Sequence, residues 1–230
     1  MPETPGHAVI TGDTDPGAVK AALREIGFAQ VSVMPASRSL FAGTNGVRAE
    51  RDFQKLLRVL EEEAEVWLRL TESRNGKALK NLKAKSGLSP SLTALLHNSK
   101  RRHGCGAGLG LVGVSVAGDI YLCHRFVGQD GYKLGSVFAP GLAREEYLAS
   151  QLERSGECAA CFARYYCGGG CKHDNAGACG SAFAPSGDMC RLRRRELELA
   201  AVVVCRLSSG ARAFWAEQGI FPPKPCPFDF

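Results

Sequence analysis

The first 104 residues of this 230-residue chain contain no cysteine. Of the ten cysteines, eight lie between Cys105 and Cys190, and the other two are Cys205 and Cys226. Long apolar runs are also missing, and no stretch is apolar enough to span a bilayer. Residues 1–7 do not lead from a basic stretch into an apolar segment, which argues against a secretory signal. The sequence therefore predicts a cytoplasmic protein that does not engage a membrane, with its cysteine chemistry confined to one region.

Aromatic residues make up only 8% of the chain, and the net charge of +6 is modest. Basic residues gather in three places, at 77–85, 100–102 and 191–195, without aromatic residues between them. Single-stranded nucleic acids are bound by basic grooves with stacking aromatic side chains, so nucleic-acid binding is not predicted. We interpret the basic groups mainly as solvated helix faces and loop edges, and the alternative is an electropositive surface that attracts an acidic partner or offsets anionic clusters.

The front of the chain predicts a β-α-β unit. Residues 7–11 and 30–34 are short apolar runs typical of strands. Asp15-Pro16 is a helix start, and Gly27 suits the end of the same helix. Two such strands are expected to pair in parallel with a right-handed crossover.

Further helices and one hairpin are predicted downstream. The apolar spacing in 47–70 indicates a long amphipathic helix, and shorter helices are expected at 89–100, 144–152 and 192–207. Residues 72–86 are interpreted as a lysine-rich linker, and 222–230 as an extended tail. Alternating residues on both sides of Gly118 predict a β-hairpin.

The clustered cysteines need an explanation other than disulfides, because a reducing cytosol disfavours them. Metal ligation is the better interpretation. Their spacing is Cys105-x12-Gly118-x4-Cys123, then Cys158-x2-Cys161-x5-Cys167-x3-Cys171, and finally Cys190. A structural zinc site prefers two knuckles that lie farther apart than Cys161 and Cys167 do. The three glycines between Cys167 and Cys171 would let backbone N–H groups reach inorganic sulfide, so iron–sulfur ligation is favoured over zinc.

This seven-cysteine pattern resembles the SPASM domain of radical SAM maturases, and the front of the chain resembles the last part of a radical SAM barrel. The resemblance implies an α/β remnant of a partial (β/α) barrel, followed by a small α+β, cysteine-rich iron–sulfur domain. The implied divisions are 1–100 for the barrel remnant and linker helices, 101–195 for the SPASM domain, and 196–230 for a final helix and tail.

The resemblance also implies two auxiliary clusters, expected to be [4Fe-4S]. Cys105, Cys123 and Cys171 would hold the first cluster, and we call them the first thiol set. The second thiol set would hold the second cluster and comprises Cys158, Cys161, Cys167 and Cys190. The first set lacks a fourth protein ligand. Three alternatives stay open: His103 binds there, Cys179 folds back, or one iron is left to bind substrate sulfur.

Residues 105–108 and 121–126 look most like the maturases of quinohaemoprotein amine dehydrogenase. Those enzymes link cysteine sulfur to the methylene carbon of Asp or Glu in a small subunit. Sulfatase-maturing relatives carry an aspartate base directly after the second motif cysteine, whereas this chain has His124. His124 is therefore the weak candidate for a catalytic residue, although a supporting role beside Cys123 is the simpler interpretation.

Radical SAM chemistry requires a Cys-x3-Cys-x2-Cys loop, and this sequence contains none. We therefore expect the chain to be inactive alone. Either it is part of a longer enzyme that holds S-adenosylmethionine and its cluster elsewhere, which we favour, or it pairs with a separate chain that holds them. A peptide or small protein substrate and a reductant such as flavodoxin or ferredoxin are the expected partners. The alternatives are an iron–sulfur electron-transfer or peptide-binding module without its own catalysis, and a zinc-stabilised interaction domain.

Overall fold

The structure is a computed structural model that describes residues 6–10, 15–28, 31–35, 46–149, 152–153 and 156–221. The chain divides into two compact units, Met1–Arg58 and Val59–Phe230. The boundary falls within a long helix, whereas the sequence places the start of the cysteine-rich domain after residue 100. Each unit has its own local organisation.

The first unit contains the β-α-β element that the sequence predicts. Strands β1 (Gly6–Ile10) and β2 (Val31–Pro35) pair in parallel, with Gly6 opposite Val31. Helix α1 (Pro16–Glu25) begins where expected, because the Asp15 carboxylate accepts hydrogen bonds from the backbone N–H groups of Gly17 and Ala18 at 2.9 and 3.1 Å. The parallel pairing and the helix start are confirmed.

Helices form most of the second unit. Helix α2 (Gly46–Glu72) begins before the boundary and confirms the long helix expected at 47–70. Helices α3 (Gly76–Lys83) and α4 (Ser89–Leu96) follow it. The interpretation of 72–86 as a linker is wrong. The Asn75 side chain caps α3 by accepting from Ala78 N at 3.0 Å, and the fully buried Leu79 anchors the helix. Lys77 and Lys80 are exposed, whereas Lys83 is half-buried and donates to Ile220 O.

Aromatic side chains form the core between these helices. The rings of Trp67, Trp215 and Phe221 lie 5.2 to 5.6 Å apart, centroid to centroid. Trp67 donates its indole N–H to Ser86 Oγ, and Trp215 donates to Thr71 Oγ1, both at 3.0 Å. The two largest buried side chains are therefore satisfied as hydrogen-bond donors as well as packed.

A small antiparallel sheet lies at the centre of the cysteine-rich region. Strands β3 (Gly113–Val114), β4 (Asp119–Tyr121) and β5 (Lys133–Ser136) pair in that order. The hairpin is confirmed, with Gly118 in its turn at φ +82°. The sequence missed β5 because it is short, contains Gly135 and does not alternate. The sheet buries a second apolar core of Tyr121, Leu122, Cys123, Phe126, Leu134 and Tyr147.

Four short helices follow the sheet, and three of them carry one cysteine each: Cys158, Cys167 and Cys179. The four helices are α5 (Glu145–Leu148), α6 (Gly156–Ala159), α7 (Arg164–Cys167) and α8 (Lys172–Cys179). The helix expected at 144–152 is only one turn long in α5. Among the described residues of 158–190, the buried apolar side chains are Cys158, Ala163 and Ala182. Little apolar packing therefore holds this segment together.

Two helices close the described chain. Helix α9 (Gly187–Arg206) begins five residues before the predicted start at 192, and the Ser186 hydroxyl caps it by accepting from Met189 N. Helix α10 (Ser209–Glu217) was not predicted.

Among the described residues, no single helix is long and apolar enough to cross a membrane, and only α9 and α10 taken together, bent by 106°, pass that test. The tail expected at 222–230 lies outside the described residues.

Candidate metal centre

The second thiol set comes together from three short segments. Cys158 lies in α6, Cys161 follows that helix, and Cys167 ends α7. Cys190 lies in the first turn of α9, about 20 residues farther along the chain. All four thiols line one cavity. The structure thus brings together the four cysteines that the resemblance assigns to one cluster.

The thiols of this set affect one another electrostatically. Burial raises the pKa of the Cys190 thiol to about 11, and the neighbouring Cys167 and Cys158 groups act in the same direction. Thiolates crowded into a poorly hydrated cavity repel each other unless cations neutralise them. Metal ions that bind these sulfurs would supply that charge, and binding would release the thiol protons.

Arginines border the same cavity. Arg164, Arg193 and Arg194 contribute to its wall. Arg194 lies one helical turn after Cys190 on α9, and its pKa is raised by a hydrogen bond to Cys161 and by the charge of that thiol. The sequence favours a solvated basic group at 191–195, with a group that offsets anionic clusters as the alternative, and does not single out Arg194. The i, i+4 spacing from Cys190 is the signal that would have found it.

The first thiol set lies beside the small sheet. Cys123 is buried directly after β4, and Cys105 packs against the same apolar core. Cys171 is the residue that precedes α8, and its sulfur lies 3.6 Å from Nη1 of Arg125. Burial raises the pKa of the Cys171 thiol, whereas the Arg125 charge opposes that shift. Arg125 therefore connects the turn that follows Cys123 to the segment that carries Cys171.

Lys172 interacts electrostatically with two members of this set, Cys105 and Cys171. Burial lowers the pKa of its ammonium group, while the charges of Cys105 and Cys171 oppose that shift. Its Nζ also lies 5.1 Å from the centre of the Phe183 ring and 6.0 Å from that of Tyr147. The sequence reasoning did not single out Lys172, although it directly follows a motif cysteine. This half-buried cation lies close to the sulfurs that a cluster would use.

A glycine run joins the two thiol sets. Gly168, Gly169 and Gly170 all have positive φ, at +71°, +85° and +78°. A Cβ atom on Gly168 would lie 2.5 Å from the backbone of His103 and Gly104, so only glycine permits this contact. Buried Asn175 donates from Nδ2 to Gly169 O at 2.8 Å and to Ala182 O at 3.2 Å. Hydrogen bonds from the Asn175 side chain and close backbone contact thus hold the loop in place of apolar packing.

The remaining candidate site residues, His103, Cys179 and His124, differ in how deeply they are buried and in their neighbours. Half-buried His103 lines a cavity together with Cys158 and Lys172. Burial, followed by the charges of Lys172 and Arg102, lowers the pKa of His103, which favours the neutral imidazole that binds metals. Cys179 is exposed at the far end of α8, about 12 Å along the helix axis from Cys171. His124 is exposed in the turn that follows Cys123.

The donor geometry can be compared with two kinds of metal site. Within the part of the chain that the structure describes, no three His, Cys, Asp or Glu side chains converge closely enough to hold a single metal ion. The ligands of a four-iron cluster bind separate irons and therefore lie farther apart than ligands around one ion. The all-thiolate set around this cavity fits such a cluster in the chemistry of its donors.

Comparison with known proteins does not add to this picture, because no family model and no curated protein matches this sequence. The functional conclusion therefore rests on the residues and their arrangement.

Proposed function

We propose that this chain holds two iron–sulfur clusters as the auxiliary-cluster portion of a radical SAM enzyme that modifies a peptide or protein. The observation that carries the proposal is the gathering of Cys158, Cys161, Cys167 and Cys190 around one cavity. These residues come from separate segments, and a complete set of four thiol donors is what a cube-shaped cluster requires.

The ligand assignment follows the two thiol sets. The second set provides four thiolates for one cluster. The first set provides Cys105, Cys123 and Cys171 for the other, and Arg125 and Lys172 lie beside its sulfurs. We favour His103 over Cys179 as the fourth ligand, because His103 lies two residues before Cys105 and near Lys172, whereas Cys179 is exposed at the opposite end of α8. The cysteine that lines a cavity with His103 is Cys158 of the second thiol set. An iron left open to substrate sulfur is the other possibility for this site.

The clusters, when bound, would supply single-electron transfer and, at an open iron, a place for a substrate thiolate. The residues of this chain hold the sulfurs in place, limit the access of water and neutralise negative charge. The burial of Cys123 and Cys158 serves the first two of these tasks. Arg125, Lys172 and Arg194 serve the third.

The reaction proposed for the complete enzyme is a cross-link between cysteine sulfur and the side chain of Asp or Glu, as in an amine dehydrogenase small subunit. A reductant of the flavodoxin or ferredoxin class would supply electrons. Cleavage of S-adenosylmethionine would take place on a Cys-x3-Cys-x2-Cys loop, which this sequence does not contain. His124, exposed beside Cys123, is the catalytic candidate within this chain.

The absence of that loop from the sequence favours one second candidate function. On this alternative, the chain is an iron–sulfur electron-transfer or peptide-binding module without catalysis of its own. Both functions need the same two clusters, so the first experiment tests whether the chain binds them.

The decisive experiment is anaerobic purification and reconstitution of the full chain, followed by iron, sulfide and zinc analysis. We expect about eight irons per chain and a brown protein. Cys158→Ala and Cys190→Ala should each lose about half of the iron, whereas Cys205→Ala, a change at an exposed cysteine in α9, should lose none. A colourless protein with bound zinc would overturn the proposal. Methionine release from S-adenosylmethionine, assayed with the chain alone and together with a Cys-x3-Cys-x2-Cys protein, then separates the two functions.

A further inference from the structure

Arg125 makes two polar contacts through a single nitrogen. Its Nη1 lies 3.6 Å from Cys171 Sγ and 2.7 Å from Asp174 Oδ1. The contacts join residues 46 positions apart in sequence, because Arg125 lies in the turn after β4 and Cys171 precedes α8. The side chains of Arg125 and Asp174 are 31% and 18% exposed. Water therefore screens these charges less than it would at the surface.

A guanidinium beside a ligand sulfur has a predictable effect on electron uptake. Hydrogen bonds to sulfur, net charge and solvent exposure set the potentials of iron–sulfur clusters. Reduction adds one negative charge, and a nearby cation stabilises the reduced form more than the oxidised form. A carboxylate at the same distance has the opposite effect.

We propose that Arg125 is a positioning residue that holds the Cys171 sulfur and raises the reduction potential of the cluster bound by the first thiol set, while Asp174 anchors Arg125 and moderates this effect. The inference rests on the proposed function. One electron passes from a low-potential donor of the flavodoxin or ferredoxin class to the cluster. No bond forms or breaks in this step, and the guanidinium keeps its protons.

Neutralising either partner of the ion pair between Arg125 and Asp174 should shift the reduction potential of one cluster, and the two shifts should have opposite signs. Arg125→Gln removes the positive charge and keeps a hydrogen-bond donor, so the potential of one cluster should fall. Asp174→Asn removes the negative charge and should raise the same potential. Arg125→Lys keeps the charge, although the planar fork is lost, and should restore most of the wild-type value.

The experiment is a redox titration of the reconstituted full chain, followed by electron paramagnetic resonance, which resolves the two clusters. Arg194→Gln is the matched control, because Arg194 lies beside Cys161 in the second thiol set. It should shift the potential of the other cluster and leave the first unchanged. Iron content is measured for every variant, so a loss of clusters is seen separately from a shift in potential.

Opposite shifts for Arg125→Gln and Asp174→Asn at one cluster support the inference. Shifts of the same sign, shifts of both clusters together, or no shift at full iron content overturn it. If Arg125→Gln does not hold its cluster, the inference is judged from Asp174→Asn alone. A raised potential of that cluster supports the inference, and an unchanged or lowered potential overturns it. A wild-type chain that takes up no iron refutes the proposed function instead, and the two failures are therefore distinguishable.

Discussion

Gly168 lies against the backbone of Gly104, so closely that a Cβ atom on Gly168 would be 2.5 Å from the Gly104 nitrogen. Each glycine adjoins a cysteine of a different thiol set, since Gly104 precedes Cys105 and Gly168 follows Cys167. The contact therefore links the two candidate cluster sites through the backbone. A change at this point should disturb both sites.

The first prediction concerns Gly168→Ala. The variant would place a Cβ in a left-handed conformation, which costs about 1 kcal/mol, and would also force His103 and Gly104 to move, at a further cost of about 1–3 kcal/mol. Gly180→Ala is the matched control, because Gly180 has φ +72° with nothing within 4 Å of the added Cβ. Urea unfolding should show the larger loss for Gly168→Ala. Equal losses would mean that the close contact has no energetic importance.

The second prediction concerns the buried amide of Asn175. Asn175→Ala would leave the carbonyl oxygens of Gly169 and Ala182 without this donor, and should destabilise the chain by about 1–3 kcal/mol. Gln129→Ala removes an exposed amide that donates to Arg125 O at 3.2 Å, and should cost much less. Urea unfolding of both variants gives the comparison. A small effect of Asn175→Ala would show that the glycine run keeps its conformation by other means.

The third prediction concerns Cys179 and His103, the two candidates for the fourth ligand of the first cluster. Cys179→Ala should keep the wild-type iron content, because Cys179 is exposed at the far end of α8 from Cys171. His103→Ala should lower iron content, or alter the spectrum of one cluster, if the imidazole is the fourth ligand. Iron and sulfide analysis of the reconstituted variants makes the comparison. Loss of iron in Cys179→Ala alone would assign the ligand to Cys179.

The fourth prediction concerns the pH dependence of stability at Glu196. Burial raises the pKa of this carboxyl, and Arg193, which donates to Glu196 Oε2 at 2.6 Å, opposes the shift only in part. A carboxyl with a raised pKa in the folded chain contributes stability below its unfolded pKa of about 4.3, and this contribution is lost as the pH rises through the folded pKa. Glu196→Gln keeps an acceptor for Arg193 but does not titrate.

The free energy of unfolding of Glu196→Gln, relative to wild type, should therefore increase as the pH rises from about 4 through the raised pKa of Glu196 in the folded chain. Urea unfolding at several pH values measures this difference. Glu198→Gln, two positions along α9 and exposed, corrects for the loss of one negative charge on the same helix. A relative stability that falls with rising pH would show that the ion pair with Arg193 outweighs the cost of burial.

Local sequence signals predicted the elements that depend on near neighbours. The Asp15-Pro16 start of α1, the spacing of apolar residues in α2 and the glycine turn of the β3–β4 hairpin were all recognisable. Each of these signals acts over a few residues, so it does not depend on the rest of the fold.

The elements that the sequence missed depend on distant contacts. Helix α3 has a lysine-rich sequence and forms around one buried residue, Leu79, which packs in the core of the second unit. Strand β5 lacks alternation and forms because β4 offers an edge with which it can pair. Local propensity gives little weight to either segment, and tertiary contacts decide both.

The sequence by itself determined which chemistry this chain can offer, because the number and spacing of thiols are local properties that predict metal ligation before any fold is known. Only the tertiary structure decided which thiols share a cavity, and which cations lie beside them. Cys190, Arg125 and Asn175 reach their partners through packing between segments far apart in the chain. Contacts of that kind depend on the whole core at once, so no short stretch of sequence encodes them.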